Sequence, residues 1–338
     1  MDKKEEAINE IKKQSRTAIH AYLKKLPNVN LFTYYKELVT KKDIFGKYAE
    51  TMLTTEEIDY FIHYETNLHQ EKTYEQEDLA ALLYLQYKLY GIDKDLRVKN
   101  VVIDEAQDYS YFQLYALKSA LETDMFTIVG DLAQGIHSYR GINDWDLVVN
   151  QIFPRASYRT LQKSYRTTVE IMNTANGIMK LLNLELPTVE PVVRHGRKPE
   201  FHPHSSTEKE TAKKISNHIK NLHKDGMKTV AVIGKNDKEC KRISKLLKKH
   251  SDLPVQLLRE NEEINKEEVV IVNSLLSKGL EFDAVLICSF DEVFEENEID
   301  IKLLYVSMTR PLHHLSFFGK EPGVFMLDRI SSELFNVN

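Results

Sequence analysis

Two adjacent carboxylates, Asp104 and Glu105, directly follow a run of β-branched apolar residues at 101–103. Such a run predicts a fully buried strand, and side chains at the carboxyl end of a strand in an α/β sheet face a crevice that binds ligands. One carboxylate of such a pair can hold Mg²⁺ through its waters, while the next takes a proton from an attacking water. The pair therefore suits a nucleotide site, although two solvated acids at a strand end would have the same sequence.

Later segments also place polar or cationic side chains at the edge of an apolar strand or at the end of a helix. These segments are TIVGDLAQGIHSYRG (127–141), LQKSYR (161–166), SLLSKGLEFDAVLI (274–287) and LLYVSMTR (303–310). Their polar residues are the further candidates for a functional site.

Short apolar runs separated by helical patterns fill the chain from about residue 98 onward. This alternation predicts an α/β fold with parallel sheets built from βαβ units. The predicted strands lie at 101–103, 126–129, 230–233, 269–272 and 284–288.

A helix is predicted after LQKSYR, because Thr167 can cap it and Glu170 completes a capping box. Tyr165 and Arg166 then lie at a strand-to-helix junction. The apolar face of this helix comprises Ile171, Ala175, Ile178, Met179 and Leu182.

Two other stretches are assigned from composition. The four prolines within 187–203 predict an extended connection without an element of its own. The lysine-rich stretch 238–249 carries Ile243, Leu246 and Leu247 on one face, which indicates that its charges form the solvated side of a helix.

Residues 1–97 have few Gly or Pro and mix charged with apolar positions, the pattern of amphipathic helices. The clearest helix is DLAALLYLQYKLYG (78–91), which Gly91 is placed to end. Its predicted face comprises Leu79, Leu82, Leu83 and Leu89. Several aromatic residues could stack on bases, but helical spacing favours a core role for Phe32, Tyr34, Tyr35, Tyr60, Phe61 and Tyr64.

The composition is that of an ordinary soluble protein, and 338 residues allow two domains. The absence of a long apolar run argues against a membrane protein and against a signal peptide, so a cytoplasmic location is expected.

Cys240 and Cys288 are far apart, which supports neither a zinc site nor a disulfide framework. The net charge of −5 leaves the partner undecided.

In this order, the carboxylate segment and the later segments resemble the motifs of superfamily 1 helicases of the UvrD/Rep type. The resemblance covers at least residues 79–319. Within that group, the forms DEAQDYS, GDLAQGIHSYRG and LLSKGLEFDAVLI are most similar to the HelD branch, ATPases related to DNA helicase IV that act on bacterial RNA polymerase.

The resemblance implies an ATP site with Mg²⁺. Asp104 would order Mg²⁺ through water, and Glu105 would be the general base for the water that attacks the γ-phosphate. Gln134 would sense the γ-phosphate. Arg166 and Arg310 would be arginine fingers, whose rigid bidentate geometry suits the charge on the transferred phosphoryl group. Two residues would contact the nucleoside, Tyr165 by stacking on adenine and Glu281 by hydrogen bonding to the ribose, with Gly279 beside them in the cofactor-binding segment.

The resemblance also places His137, Tyr139 and Arg140 where family members stack on single-stranded bases. Base stacking in such proteins is worth roughly 1–3 kcal/mol per base. The alternative is that these residues brace the ATP site, since HelD-like members have the polymerase as their partner.

The sequence contains no GxxxxGK[ST] phosphate loop, whose amides, lysine and hydroxyl hold the phosphates and Mg²⁺. In the family this loop precedes the carboxylate motif. The chain is therefore expected to be the carboxyl-terminal half of a longer ATPase, or a degenerate relative, with an N-terminal half that carries the loop as its partner.

Further departures from the family pattern concern the site and the subfamily. Pro311 follows Arg310 where the family has a small residue, which affects the pose of the finger. Leu275 replaces a histidine of UvrD-type enzymes, and about a hundred residues separate LQKSYR from SLLSKG, which favours HelD.

The sequence thus predicts RecA-like α/β units in three segments: a helical region (1–97), the remainder of the first unit (98–155) and a complete second unit (156–338). The ATP site would lie in a cleft, with Asp104, Glu105 and Gln134 on one wall and Arg166, Glu281 and Arg310 on the other. Remodelling of RNA polymerase, 3′-to-5′ DNA unwinding on single-stranded DNA, and a non-hydrolysing binding module are the alternative functions.

Overall fold

The computed structural model describes residues 30–136, 140–182, 189–191, 194–265 and 267–338, together with residues 8, 11, 12, 15, 18 and 22. The chain forms two compact units. The first comprises Met1–Val101 and Phe112–Phe126, and the second comprises Val102–Tyr111 and Thr127–Asn338. None of the helices in the described part of the chain combines the length and apolar character needed to cross a bilayer.

Helices dominate the first unit. They are α1 (Leu31–Thr40), α2 (Lys42–Ala49), α3 (Thr55–Glu71), α4 (Gln76–Tyr90) and α5 (Tyr111–Leu121), the last of which begins one residue before the segment assigned to this unit. Thr54 and Glu57 form a capping box that fixes the start of α3. Helix α4 ends before Gly91, as predicted. Its predicted apolar face is wrong in part, because Leu82 is buried whereas Leu79 and Leu89 are exposed.

The aromatic residues of this unit divide between core and surface. Tyr35 is buried and its hydroxyl donates a 2.5 Å hydrogen bond to Asp78 Oδ1. Phe61 packs against the same small core. The core prediction is wrong for the remaining four, which are exposed because each helix buries a single stripe: Phe32, Tyr34, Tyr60 and Tyr64.

Strands β1 (Val101–Ile103) and β2 (Phe126–Ile128) pair with each other. The Val101 amide donates to Met125 O and the Val129 amide donates to Ile103 O, both at 2.9 Å, so the strands run parallel. Ile103 is buried, but Val102 is 73% exposed. The prediction of a fully buried strand is therefore wrong, since one face of β1 is left uncovered by the described residues.

A seven-stranded sheet forms the centre of the second unit, in the order β11-β5-β10-β9-β6-β8-β7. Every pairing in it is parallel, which confirms the predicted parallel arrangement. Its strands are β5 (Glu200–Pro203), β6 (Val230–Gly234), β7 (Val255–Leu257), β8 (Val269–Asn273), β9 (Phe282–Cys288), β10 (Pro311–Gly319) and β11 (Asn336–Val337).

Helices cover both faces of this sheet. Two of them, α7 (Val169–Met179) and α10 (Glu298–Met308), contribute to the apolar core on one face. The other core includes α8 (Glu208–Lys224) and α9 (Asp237–His250), with Cys240 and Cys288 as buried free thiols. Burial on both faces explains why β6, β8 and β9 are almost continuously apolar. On α9, the lysines are exposed and Ile243, Leu246 and Leu247 are buried, as predicted.

The proline-rich stretch contains strands, contrary to prediction. Within it, β4 (Glu190–Pro191) pairs with β3 (Lys163–Ser164), and β5 joins the large sheet with Phe201 buried. Pro191 and Pro203 are each the last residue of their strand, where the missing amide disturbs the ladder least. A short helix α6 (Trp145–Leu147) precedes β3 and continues as a π-helical segment at Val148–Ile152.

Helix α7 begins one residue later than predicted. Thr168, and not Thr167, is its N-cap, and the Thr168 hydroxyl accepts from the Ile171 amide at 3.4 Å. Glu170 instead accepts from the Gly196 amide and contacts His195, so the predicted capping box is wrong. Tyr165 and Arg166 do lie between β3 and α7.

Candidate functional site

The turn after β1 carries both candidate carboxylates. Asp104 and Glu105 are exposed, and the Glu105 amide donates to Asp104 Oδ1 at 2.8 Å. Glu105 has a φ of +51° and a ψ of +39°, the left-handed region that costs an L-residue roughly 1–2 kcal/mol. Such strain in a turn persists where surrounding contacts hold it, and it is concentrated at functional sites.

Gln107 holds this turn against the turn that follows β2. It is buried, with its side-chain amide donating to Glu105 Oε2 and its Oε1 accepting from the Asp131 amide at 2.9 Å. A Cβ at Gly130 would lie 2.6 Å from Gln107 Oε1 and 3.0 Å from the Ala106 amide nitrogen. The close approach of the two turns therefore requires glycine at position 130.

Asp131 and Gln134 extend the connection toward Arg310. Gln134 donates from Nε2 to Asp131 Oδ2 at 2.7 Å and accepts from Arg310 Nη2 at 2.9 Å. A continuous chain of contacts thus runs from Glu105 through Gln107, Asp131 and Gln134 to Arg310. We call these five residues the relay.

Arg310 is 1% exposed and its guanidinium is satisfied by oxygen atoms of the protein. Nε donates to Val306 O, Nη1 to Leu280 O, and Nη2 to the Thr309 hydroxyl as well as to Gln134. Burial, followed by the nearby positive charge of Arg166, lowers the pKa of Arg310 to about 10. The negative charges of Glu105 and Glu281 oppose this shift, and the arginine remains charged at neutral pH.

Arg166 and Glu281 form an ion pair, with Arg166 Nη2 2.6 Å from Glu281 Oε1. Both side chains are about half-exposed, so the pair contributes roughly 0–1 kcal/mol to stability. Tyr165, next to Arg166, is 70% exposed. A ligand can reach all three side chains without opening the core.

Lys278 forms ion pairs with Glu105 and Asp108, both in the segment that follows β1. Its Nζ lies 3.3 Å from Glu105 Oε2 and 2.6 Å from Asp108 Oδ2, and the side chain is 14% exposed. Gly279 follows with a φ of +81° and open space around its Cβ position. The left-handed residue turns the chain between Lys278 and the segment that carries Glu281.

The structure therefore brings Glu105, Gln134 and Arg310 into one hydrogen-bonded chain and pairs Arg166 with Glu281 beside it. Of the predicted base-stacking residues, His137 and Tyr139 lie outside the described residues. Arg140 is described and is half-buried.

Sequence reasoning missed Gln107, Asp131 and Lys278. The first two lie in the quoted segments 101–108 and 127–141, each shortly after a strand. Polar residues directly after apolar strands were the available signal. Lys278 was less evident from the sequence, because a lysine before a glycine does not show that its side chain reaches Glu105.

The arrangement offers groups suited to phosphate chemistry. Glu105 can accept a proton, Arg166 presents an exposed guanidinium, and the relay connects Glu105 to the buried guanidinium of Arg310. Asp104 supplies the exposed carboxylate oxygens that Mg²⁺ prefers.

Two family models match parts of this chain. Residues 1–145 match the family described as the UvrD/REP helicase N-terminal domain, and residues 159–276 match the UvrD-like helicase C-terminal domain.

Individual relatives match shorter segments. A probable DNA helicase II homolog of Mycoplasma capricolum is 29% identical over 122 residues, which are 35% of this chain and 17% of that protein. The ATP-dependent DNA helicase Rep of Buchnera aphidicola is 28% identical over 134 residues, which are 37% of this chain and 21% of that protein. The chain thus spans about a fifth of the length of these relatives.

A solved structure is also similar. The C-terminal domain of a possible DNA helicase from Lactobacillus plantarum WCFS1 is 26% identical, with a TM-score of 0.41, and the match covers 52% of this chain and 99% of that one.

Proposed function

We propose that this chain, which carries UvrD/Rep-type superfamily 1 helicase domains, is part of an ATP-driven motor that acts on nucleic acid or on complexes containing it. The observation that carries the proposal is the relay. It links a carboxylate able to activate water, Glu105, to the buried cation Arg310 through the Gln134 amide. To act as an arginine finger, Arg310 would exchange a protein oxygen for the phosphoryl group.

Each site residue has a role in this proposal. Asp104 holds Mg²⁺ through water, and the ion would offset the charge of the nucleotide phosphates. Glu105 takes the proton of the attacking water. Gln134 contacts the γ-phosphate, and its hydrogen bond with Arg310 couples this contact to the arginine. Arg166 exchanges Glu281 for the phosphate, which leaves Glu281 able to accept a hydrogen bond from the ribose. Tyr165 stacks on adenine, and Gly279 gives the chain the turn that positions Glu281.

The fold is consistent with RecA-like units. In this proposal the second RecA-like unit would be residues 156–338, which contain the parallel sheet with helices on both faces. Residues 98–155 would be the remainder of the first unit, and the helical region 1–97 precedes them in the chain. One face of β1 is uncovered, with Val102 73% exposed. A polypeptide that carries a phosphate loop would supply the layer that covers this face.

Two substrates are compatible with such a motor. The names of the relatives, DNA helicase Rep and DNA helicase II homolog, favour unwinding of DNA. The resemblance to the UvrD/Rep type would make the direction 3′-to-5′, with Arg140 near the bound single strand. Leu275 and the short spacing before SLLSKG support the HelD-type alternative, remodelling of RNA polymerase.

The test is steady-state ATP hydrolysis by the purified chain and by the chain combined with a polypeptide carrying the phosphate loop. We expect negligible turnover from the chain alone and turnover from the combination. Stimulation by single-stranded DNA or by RNA polymerase then identifies the substrate. Helicase-like turnover by the chain alone, abolished in Glu105→Gln, would contradict the need for a separate loop, and failure of the combination to bind or hydrolyse ATP would support a non-hydrolysing binding module.

A further inference from the structure

A cluster of histidines lies in the second unit among residues with no role in the proposed ATPase chemistry. Glu200 and His202 are two residues apart on β5, so their side chains project from the same face of the sheet. Glu200 pairs in register with Ser316 of β10, which places His314 and Ser316 on this face as well. His218 reaches the cluster from α8.

The ligand atoms of the cluster converge. Glu200 Oε2 lies 3.1 Å from His202 Nε2, and His218 Nε2 lies 3.3 Å from His314 Nε2. Zinc bonds to nitrogen and oxygen of about 2.0–2.1 Å place neighbouring atoms of a tetrahedral site about 3.3 Å apart. The Glu200–His202 pair therefore has the spacing of tetrahedral neighbours. One ligand atom each from Glu200, His202 and His218 lies within 4.8 Å of the others, so the atoms farthest apart must approach by up to about 1.5 Å to reach that spacing. His314 is outside this group of three and contacts His218 from β10.

The chemical types of the groups suit a metal. Each imidazole offers a ring nitrogen as a ligand, and the Glu200 carboxylate supplies an oxygen ligand and one negative charge.

Supporting contacts and a path to the surface are present. The Ser316 hydroxyl lies 2.9 Å from His218 Nε2 and 2.8 Å from His314 Nε2, and the Asn338 amide donates to Glu200 Oε2 at 3.0 Å. The Asn338 bond orients the Glu200 carboxylate, whereas the Ser316 hydroxyl would rotate away from His218 Nε2 when that nitrogen binds the metal. A surface pocket of about 440 Å³ is lined by both His202 and His218, so an ion can enter from solvent.

We propose that Glu200, His202 and His218 bind one Zn²⁺ ion, with water as the fourth ligand, which ties β5 to α8. Two imidazoles and one carboxylate favour Zn²⁺ over Mg²⁺, which prefers oxygen ligands. The site is independent of the proposed ATPase function and has a structural role.

The test is isothermal titration of the full chain with ZnCl₂, after removal of metal with EDTA. We expect one Zn²⁺ per chain, a higher unfolding temperature with zinc, and no competition from Mg²⁺. His218→Ala and Glu200→Gln should each weaken binding at least about 100-fold. The matched control is His223→Ala, an exposed histidine of the same helix, which should bind zinc like the unaltered chain.

Spectroscopy provides a measurement that does not depend on the folding of variants. Co²⁺ bound in place of Zn²⁺ should show the intense visible absorption of a tetrahedral site in the unaltered chain. The proposal is overturned by failure of the unaltered chain to bind ZnCl₂ at micromolar concentration, by binding that His218→Ala leaves unchanged, or by an octahedral Co²⁺ spectrum.

Discussion

Arg310 Nη2 donates a 2.9 Å hydrogen bond to Gln134 Oε1, although 176 positions separate the two residues in the chain. The bond joins the turn after β2 to the residue that precedes β10. Because the guanidinium is 1% exposed, it depends on protein oxygens for the interactions that water would otherwise provide.

Replacing Gln134 should therefore destabilise the fold. In Gln134→Ala, Arg310 loses the amide oxygen and Asp131 loses its donor, at a cost of roughly 1–3 kcal/mol of unfolding free energy. Urea denaturation measures the change. The exposed Gln151→Ala is the control and should stay within about 0.5 kcal/mol of the parent. Equal stability of the parent and Gln134→Ala would mean that the relay contributes nothing to the fold.

The catalytic role of Glu105 can be tested in the combination that hydrolyses ATP. Glu105→Gln keeps the size and hydrogen-bonding capacity of the side chain but removes the proton acceptor. Because general-base catalysis contributes about 10²–10⁴-fold, we expect the turnover to fall by at least 100-fold with little change in ATP affinity. Single-turnover hydrolysis and equilibrium binding separate these quantities. Retention of turnover would assign the base to another residue.

Two glycine replacements should have opposite effects. Gly279 has a φ of +81° and no neighbouring atom within 4 Å of its Cβ position, so Gly279→Ala costs backbone strain of roughly 1–2 kcal/mol without a clash. Gly46 lies inside α2, also without a neighbour within 4 Å, and Gly46→Ala should stabilise by about 0.5–1 kcal/mol. Thermal unfolding of both variants tests the expectation. A loss of stability in Gly46→Ala equal to that in Gly279→Ala would contradict it.

Glu65 should make stability depend on pH. Burial, followed by the charges of Asp78 and Glu75, raises the pKa of Glu65 from 4.5 to about 7. The folded chain keeps a proton that the unfolded chain releases between these values, so this contribution to the unfolding free energy is lost as pH rises from about 4.5 to about 7.

Glu65→Gln should reduce that dependence, since the amide has no proton to release. Denaturation across the same pH window measures the difference between variant and parent. The exposed Glu71→Gln, on the same helix, controls for the removal of a negative charge. The assignment to Glu65 fails if both variants show the slope of the parent.

The sequence predicted the parts of the fold that depend on local pattern. Continuous apolar runs identified β6, β8 and β9, because a strand covered on both faces has little room for polar residues. The same rule failed for β1, where Val102 is exposed, because a run of β-branched residues does not show whether a second layer is present. The strands at 190–191 and 200–203 were missed because proline argues against a central strand but permits a strand end.

The candidate site was predicted in part for a similar reason. Motif order identified Glu105, Gln134 and Arg310, but it gave no information on the Gln107 side chain that connects them. The Lys278 contact with Glu105 depends on packing between segments 173 positions apart, which local periodicity does not encode. The histidine cluster was missed because its members come from β5 and α8, so no spacing in the sequence resembles a ligand motif.

Strand β11 has a consequence for how this protein can be handled. Its residues Asn336 and Val337 pair with Glu200 and Phe201, and thereby occupy the edge of β5. Removal of 336–338 would leave the hydrogen-bonding groups of β5 exposed and ready to pair with a second molecule. A short strand thus covers the hydrogen-bonding edge of β5, and a version of the chain that lacks residues 336–338 is expected to aggregate more readily.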